Sequence, residues 1–398
     1  MTRRVAITGL GAVTSLGNGS RALVDGWITG RSGIEECGGL CVDFDPVSIM
    51  TRKEVRRTDR STQLIVAAAD EAVEMAGWRA EAAYPSDRIG CVIGSGIGGL
   101  DTTEAQHDAY RELGPDRVSP MSVPMMMPNA GPVAVAMKEH FTGPVHGVVS
   151  ACAASAQAIG VAMRLLQAGD AEAIVTGGGE STVGGFAVAG FAAMGAISDS
   201  GISRPFDARR DGFVMGEGAG ALVLEWEDAA IARGAAIHGF LLGYGATSDA
   251  FHITAPDPSG AAAARAITIA LTEASVIPTE VDYINAHGTS TPLNDRSETT
   301  AIKKVFGESE TDLPVSSLKS SLGHLLGGAA AVEAVATVAA LKRRVAPPTL
   351  NYQEPEEGLN LNYVPAIPQA LETDGPLAYA ISNSFGFGGH NAVLCLAA

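Results

Sequence analysis

Cys152 closes a run of small residues, Gly147-Val148-Val149-Ser150-Ala151, and is followed by Ala153-Ala154-Ser155 and an amphipathic stretch reaching Leu166. The pattern predicts a strand, a tight turn and a helix, with the thiol at the helix N-terminus. The partial positive charge there lowers a thiol pKa and favours thiolate. Small neighbours leave room for a carbonyl carbon to reach the sulfur, so nucleophilic catalysis is the chemistry this position suits. A lone cysteine in such surroundings is more often plain core. Other residues have to decide.

Two histidines bear on that decision. Asn285-Ala286-His287-Gly288-Thr289-Ser290-Thr291-Pro292 runs from a predicted strand into a Gly/Thr-rich loop. His287 thus falls at a strand end, where α/β folds usually carry functional groups. Ser316-Ser317-Leu318-Lys319-Ser320-Ser321-Leu322-Gly323-His324 is a second strand and loop, with a helix starting near His324. Either histidine alone reads as a hydrogen-bonded structural residue. With Cys152 they make a Cys/His/His set. Near the end, Asn383-Ser384-Phe385-Gly386-Phe387-Gly388-Gly389-His390-Asn391 is dense in glycine. Such a loop can move and can turn its N–H groups toward a ligand, as an oxyanion hole requires; a glycine-rich hairpin is the plainer use.

The elements that position these residues alternate. Strands are predicted at 4–8, 88–94, 173–177, 220–225, 239–245, 283–286, 314–317, 378–382 and 392–396. Helices are predicted at 62–75, 153–166, 261–274, 296–305 and 325–341. Val/Ile-rich strands and Ala-rich helices describe sheets covered on both faces. With 398 residues, 48 glycines and only 5% aromatics, the composition is that of a tightly packed α/β enzyme of two domains or two fused halves. Pro256, Pro258 and Gly260 break the pattern, which divides the chain into halves 1–250 and 251–398.

No apolar run is long enough to cross a bilayer, and the first residues enter a strand with no signal-peptide core, so a cytoplasmic protein is expected. Five cysteines without CxxC spacing suggest neither a disulfide framework nor a zinc site, and the Cys37/Cys41 pair lacks partners to complete one. A net charge of −17 argues against nucleic acid. Against that background, residues 52–60 carry five basic side chains, Arg52, Lys53, Arg56, Arg57 and Arg60. They read as a solvated helix end or as a dock for an acidic partner. Gly94-Ser95-Gly96-Ile97-Gly98-Gly99 matches GxGxxG, but no second strand with an acidic residue follows, so a tight structural turn is expected rather than a dinucleotide site.

Taken in order, these segments resemble the β-ketoacyl-acyl-carrier-protein synthases, condensing enzymes of the thiolase superfamily, and within them the elongating type II members, actinobacterial-style. Ile7-Thr8-Gly9-Leu10-Gly11, Ser203-Arg204-Pro205-Phe206-Asp207 and Arg210-Asp211-Gly212-Phe213-Val214 extend the resemblance along nearly the whole chain. It implies an α/β, thiolase-like, five-layered αβαβα fold with two pseudo-symmetric halves, usually in a homodimer. It implies that Cys152 carries the acyl chain and that malonyl carrier protein loses CO2 before a Claisen condensation, with no cofactor and no metal. By the same resemblance the N–H groups of Cys152 and Phe387 form the oxyanion hole, and His287 and His324 stabilise the enolate. Lys319 and Glu333 support them. Thr289 and Thr291 bind the phosphopantetheine arm. Met127 gates the acyl pocket beside Phe385 and Phe387, and the 52–60 segment docks acyl carrier protein. The stretch between Ile34 and Asp43 is shorter than in typical members, and Ala153-Ala154-Ser155 replaces a Ser/Thr-rich sequence.

Relatives with other roles remain to be separated. A thiolase would place a second cysteine in the Gly-rich loop, which has none. An initiating synthase pairs His with Asn, where this chain has His324. A chain-length factor lacks the cysteine. A type II polyketide ketosynthase shares the Cys/His/His set and is the nearest rival. A non-catalytic subunit that only binds acyl carrier protein is the alternative from another class.

Overall fold

Each of the nine segments expected as strands overlaps a strand of the computed structural model, which describes residues 3–36, 38–79, 83–307, 312–373 and 375–398. Apart from three two-residue strands, those in chain order are β1 (Val5–Thr14), β2 (Ile89–Gly94), β3 (Val145–Val148), β4 (Ala173–Glu180), β5 (Gly218–Trp226), β6 (Gly239–Ser248), β7 (Tyr283–Asn285), β8 (Val315–Ser316), β9 (Tyr379–Gly386) and β10 (His390–Ala397). The helices that matter for the site are α1 (Arg60–Met75), α2 (Ala154–Ala168), α3 (Ala261–Ala274), α4 (Pro292–Phe306) and α5 (Ala329–Lys342). Leu100–Leu113 and Ala130–Glu139 are helices that the sequence pattern left unassigned.

Strand order reveals the internal symmetry. In the first half the pairing runs β1-β5-β4-β2-β3, and in the second β6-β10-β9-β7-β8. Both are first-fifth-fourth-second-third, with the same alternation of two antiparallel and two parallel pairings. The two half-sheets meet where Val5, Ala6 and Ile7 pair with Leu241, Phe240 and Gly239. The second set therefore opens at Gly239, and the expected division at residue 250 falls just past the end of β6. Pro256, Pro258 and Gly260 mark the loop between β6 and α3.

Between the half-sheets lie α2 and α5. Helix α5 packs on β4 and β5 on one side and on β9 and β10 on the other, while α2 packs on β2, β4, β6 and β10. Nearly every side chain of α5 is buried, and ten of its fourteen residues are alanine or valine, so small side chains let both sheets close on it. Outside, α1 covers the first half-sheet and α3 the second. This is the αβαβα layering. Its consequence for chemistry is that the C-terminal ends of β3, β7, β8 and β9 deliver their loops to one place.

Candidate active site

Cys152 sits in a 3-10 turn, Ala151–Ala153, between β3 and α2. Ala151 adopts φ 49°, a left-handed conformation uncommon for a residue with a side chain, and it turns the chain sharply before the sulfur. The Gly-rich segment presses on this turn. A Cβ at Gly386 would stand 3.1 Å from the Cys152 nitrogen and 3.0 Å from the Ser150 oxygen, so a larger residue would push the two apart. The close approach brings the Phe387 N–H to the sulfur, where the Cys152 N–H also points.

The helix-end argument predicts a lowered thiol pKa, and the structure corrects it. Burial pushes the Cys152 thiol up to about 11; the Lys319 ammonium and the two amides pull the other way but do not prevail. Cys152 is 8% exposed in a largely apolar wall, and in the free protein it is a thiol.

His324 Nε2 lies 3.1 Å from Cys152 Sγ. The Leu326 N–H donates to His324 Nδ1 at 3.2 Å. An N–H donates only to an unprotonated ring nitrogen, so the neutral ring carries its proton on Nε2, facing the sulfur. A protonated Nε2 is a donor and not a metal ligand, although Cys152 Sγ and one nitrogen of each histidine lie within 4.8 Å of one another. His287 stands edge-on to His324, with ring centroids 5.5 Å apart. Burial first, then the Lys319 charge, holds both histidines well below the usual 6.5.

This has a pH consequence with a definite sign. The unfolded chain takes up protons at these positions near pH 6.5 and the folded chain does not, so stability falls as pH drops below that point. In the folded protein the rings stay neutral through the same range. The ring-proton NMR signals of His287 and His324 are therefore expected not to titrate between pH 7.5 and 6.5, whereas a rate that changes in that range would report Glu180 and Glu298, whose carboxyls burial pushes up to about 7. A ring signal titrating near 6.5 would assign a charged histidine to the free site.

Lys319 and Glu333 pair directly and are each 2% exposed. Thr289 and Thr291 bond through their hydroxyls at 2.8 Å. Phe385 stacks edge-on against His287 at 5.9 Å. A cavity of about 520 Å³ is lined by Cys152, His287, His324, Thr289, Thr291 and Phe387, and Lys319 and Glu333 are not among its lining residues.

Several expectations need correction. Met127 does not line this cavity; it follows the short helix Ser122–Met126 in an extended conformation and is 41% exposed on the surface. Ile97 lines the cavity instead, on the GxGxxG loop. That loop is a turn with its amides occupied, since the N–H groups of Gly96, Ile97 and Gly98 donate to Glu180. Of the five basic residues, Arg52, Lys53, Arg56 and Arg57 are exposed, but Arg60 turns inward. Its guanidinium donates twice to Glu217 at 2.7 Å and once to the Cys41 oxygen at 2.9 Å. Cys37 lies outside the described residues. The Cys41 thiol donates to the Glu217 carbonyl oxygen at 3.4 Å. Cys395 is buried in β10, away from the Gly-rich loop.

Two supporting carboxylates went unnoticed in the sequence. Glu298, from α4, accepts from the N–H of His287 at 2.8 Å and of Gly288 at 2.7 Å, and Asn383 donates to it at 3.1 Å. Asp295 accepts from the Thr289 and Phe206 N–H groups at 3.1 and 2.8 Å. The available signal was two acids early in a helix opening on Pro292, directly after the His287 loop.

A buried cysteine with two amides and two neutral histidines converging on it, at the loop ends of a duplicated half-sheet, defines a condensing-enzyme site of the thiolase fold. The chain belongs to the β-ketoacyl synthase family: residues 40–230 match its N-terminal domain and residues 238–353 its C-terminal domain. It is 45% identical over 409 aligned positions to 3-oxoacyl-[acyl-carrier-protein] synthase 2 of Synechocystis sp., covering 98% of this chain and 97% of that one. With the synthase 2 of Staphylococcus aureus strain COL the identity is 42%, over 98% and 97% of the two chains. Among solved structures, a β-ketoacyl synthase from Burkholderia phymatum superposes with a TM-score of 0.91 at 34% identity, over 99% of each chain. A type II polyketide ketosynthase solved with its acyl-carrier protein and a bound hexaketide superposes at 0.90 with 31% identity, over the full length of both.

Proposed function

We propose that this protein condenses an acyl group held on Cys152 with malonyl carrier protein, giving 3-oxoacyl carrier protein and CO2 in type II fatty acid elongation. The observation that carries the reading is the convergence on one sulfur of the Cys152 and Phe387 amides and the His324 Nε2–H. In the first step the sulfur attacks an acyl thioester. The C–S bond to the phosphopantetheine breaks, and the departing thiol takes the Cys152 proton. The two amides hold the tetrahedral oxyanion. In the second step a malonyl thioester loses CO2, and the enolate oxygen accepts from the neutral histidines. The carbanion then attacks the acyl carbon, the bond to Cys152 breaks, and the released thiolate takes a proton from water to restore the thiol. Lys319 favours both anions, and Glu333 balances its charge. Thr289 and Thr291 offer hydroxyls to the phosphopantetheine arm. No cofactor enters these steps.

Intact-protein mass spectrometry with acyl carrier proteins of graded chain length, followed by malonyl carrier protein, tests the scheme. A mass gain discharged as a single 3-oxoacyl product supports it. Acylation without one condensed product would favour polyketide chemistry, which the likeness to the hexaketide-bound ketosynthase keeps as the second reading. No acylation would sink both and leave a subunit that only binds.

Acyl carrier protein docks, on this proposal, at exposed Arg52, Lys53, Arg56 and Arg57. Reversing Arg56 and Arg57 to glutamate is expected to raise KM for carrier-bound substrate by about tenfold or more while sparing short soluble thioesters. An equal effect on both substrates would remove the docking assignment. A second copy is proposed to cover the free edge of β3, where Val149, Val133, Met137, Val123 and Met127 are exposed together on neighbouring segments. Light scattering that gives a monomer mass at micromolar concentration would overturn this.

A further inference from the structure

Strand β4 ends on a carboxylate with unusual surroundings. Glu180 is fully buried. Its oxygens accept from the Ser95 hydroxyl at 3.0 Å and from the N–H groups of Gly96, Ile97 and Gly98 at 2.5, 3.2 and 3.3 Å. Among the described residues no lysine, arginine or histidine pairs with it. A buried carboxylate satisfied wholly by amides and one hydroxyl is a costly way to close a turn, since burial disfavours the charge and each donor must be aimed at it.

Its neighbours are the working parts of the site. Ile97, in the middle of the loop, lines the cavity that holds Cys152. The loop's other side lies on the turn after His324. A Cβ at Gly327 would stand 2.0 Å from the Gly96 nitrogen and 2.8 Å from Glu180 Oε2, so the two turns are in backbone contact around the carboxylate. The turn's Leu326 supplies the N–H that fixes the proton on His324 Nε2. The same carboxylate acts on the Cys152 sulfur through its charge.

We infer that Glu180 is a positioning residue that sets how far Ile97 projects into the cavity, and through it which chain lengths Cys152 accepts, without touching substrate. The chain-length part rests on the condensing function proposed above. The positioning part does not, and two probes separate them. Alkyl methanethiosulfonates of graded length form a mixed disulfide with Cys152 and release methanesulfinate, so their relative rates read the cavity itself. Acyl carrier proteins of the same lengths read the reaction.

Glu180→Gln keeps the shape but turns an N–H2 group toward backbone N–H donors. It is expected to react with the methyl reagent within about threefold of the parent, while the long-to-short rate ratio changes by about tenfold or more. The acyl carrier protein ratio should change in parallel. A uniform loss across all lengths, with the ratio unchanged, would mean that Glu180 only supports the fold and would overturn the inference. If the reagent ratio shifts while acyl carrier proteins leave the parent's Cys152 unmodified, the positioning stands and the function proposed for the site falls. Should Glu180→Gln fail to fold, Ser95→Ala removes one of the four donors and leaves the carboxylate. It is expected to shift the ratio in the same direction by about threefold, and an unchanged ratio there overturns the inference equally.

Discussion

Cys152→Ala is expected to show no mass gain with any acyl carrier protein and to lose condensation by on the order of 10⁴-fold or more. The sulfur is the nucleophile, and no other described cysteine can replace it. Cys41, Cys91 and Cys395 are all buried, and none lines the cavity. Malonyl decarboxylation is expected to survive the substitution in part. The histidines stand on the loops after β7 and β8; Glu298 holds the His287 backbone N–H and the Leu326 N–H holds the His324 ring, and neither bond involves the thiol. Released CO2 measured beside acyl-enzyme mass separates the two halves of the reaction. An acylated alanine variant would place the nucleophile elsewhere and sink the assignment.

His324→Ala is expected to lose decarboxylation by on the order of 10²–10³-fold, the usual loss on removing one preorganised donor to a developing oxyanion. Acylation of Cys152 should fall by much less. The oxyanion of that step is held by the Cys152 and Phe387 amides, and the imidazole is arranged as a donor, with its lone pair already taken by Leu326. Single-turnover acylation and CO2 release, measured on the same preparation, give the split directly. Equal losses in both steps would mean that His324 serves the thiol as much as the enolate, and the proposed division of labour would fail.

Much of this was readable beforehand, for physical reasons that can be named. Cys152, His287, His324 and Phe387 each sit where a hydrophobic strand gives way to small residues, and the strands are marked by Val/Ile runs that alternate with Ala-rich helices. The helix expected at 296–305 is α4, although its start at Pro292, a favoured first helical residue, was missed by four positions. What escaped was whatever depends on burial or on a partner distant in the chain. The thiol pKa followed desolvation rather than the helix end, because no local pattern reports how completely the cavity wall closes. Arg60 looked like its exposed neighbours, yet its partner Glu217 lies 157 positions away. Glu180 is one acid after a glycine run, and only the folded chain sets it against three amides. Met127 was placed at the acyl pocket by the resemblance alone, while Ile97, in a loop expected to be a structural turn rather than a dinucleotide site, lines the cavity.

The strand order carries a lesson about synthesis. Strand β10 is inserted between β6 and β9 and is buried over nearly its whole length, so it is an interior strand contributed by residues 390–397. Likewise β1, the first strand made, waits for β5 and for the start of β6, more than 200 residues downstream, to flank it. A chain emerging from the ribosome thus leaves β1 without its β5 partner until residue 218, and then leaves β6 without its β10 partner from residue 248 to 390. Such non-local pairing is slow and leaves strand edges open to misassociation in the meantime. Nascent chains halted before residue 390 should be avid clients for chaperones, and the second half-sheet should acquire protease resistance in a single late step rather than strand by strand.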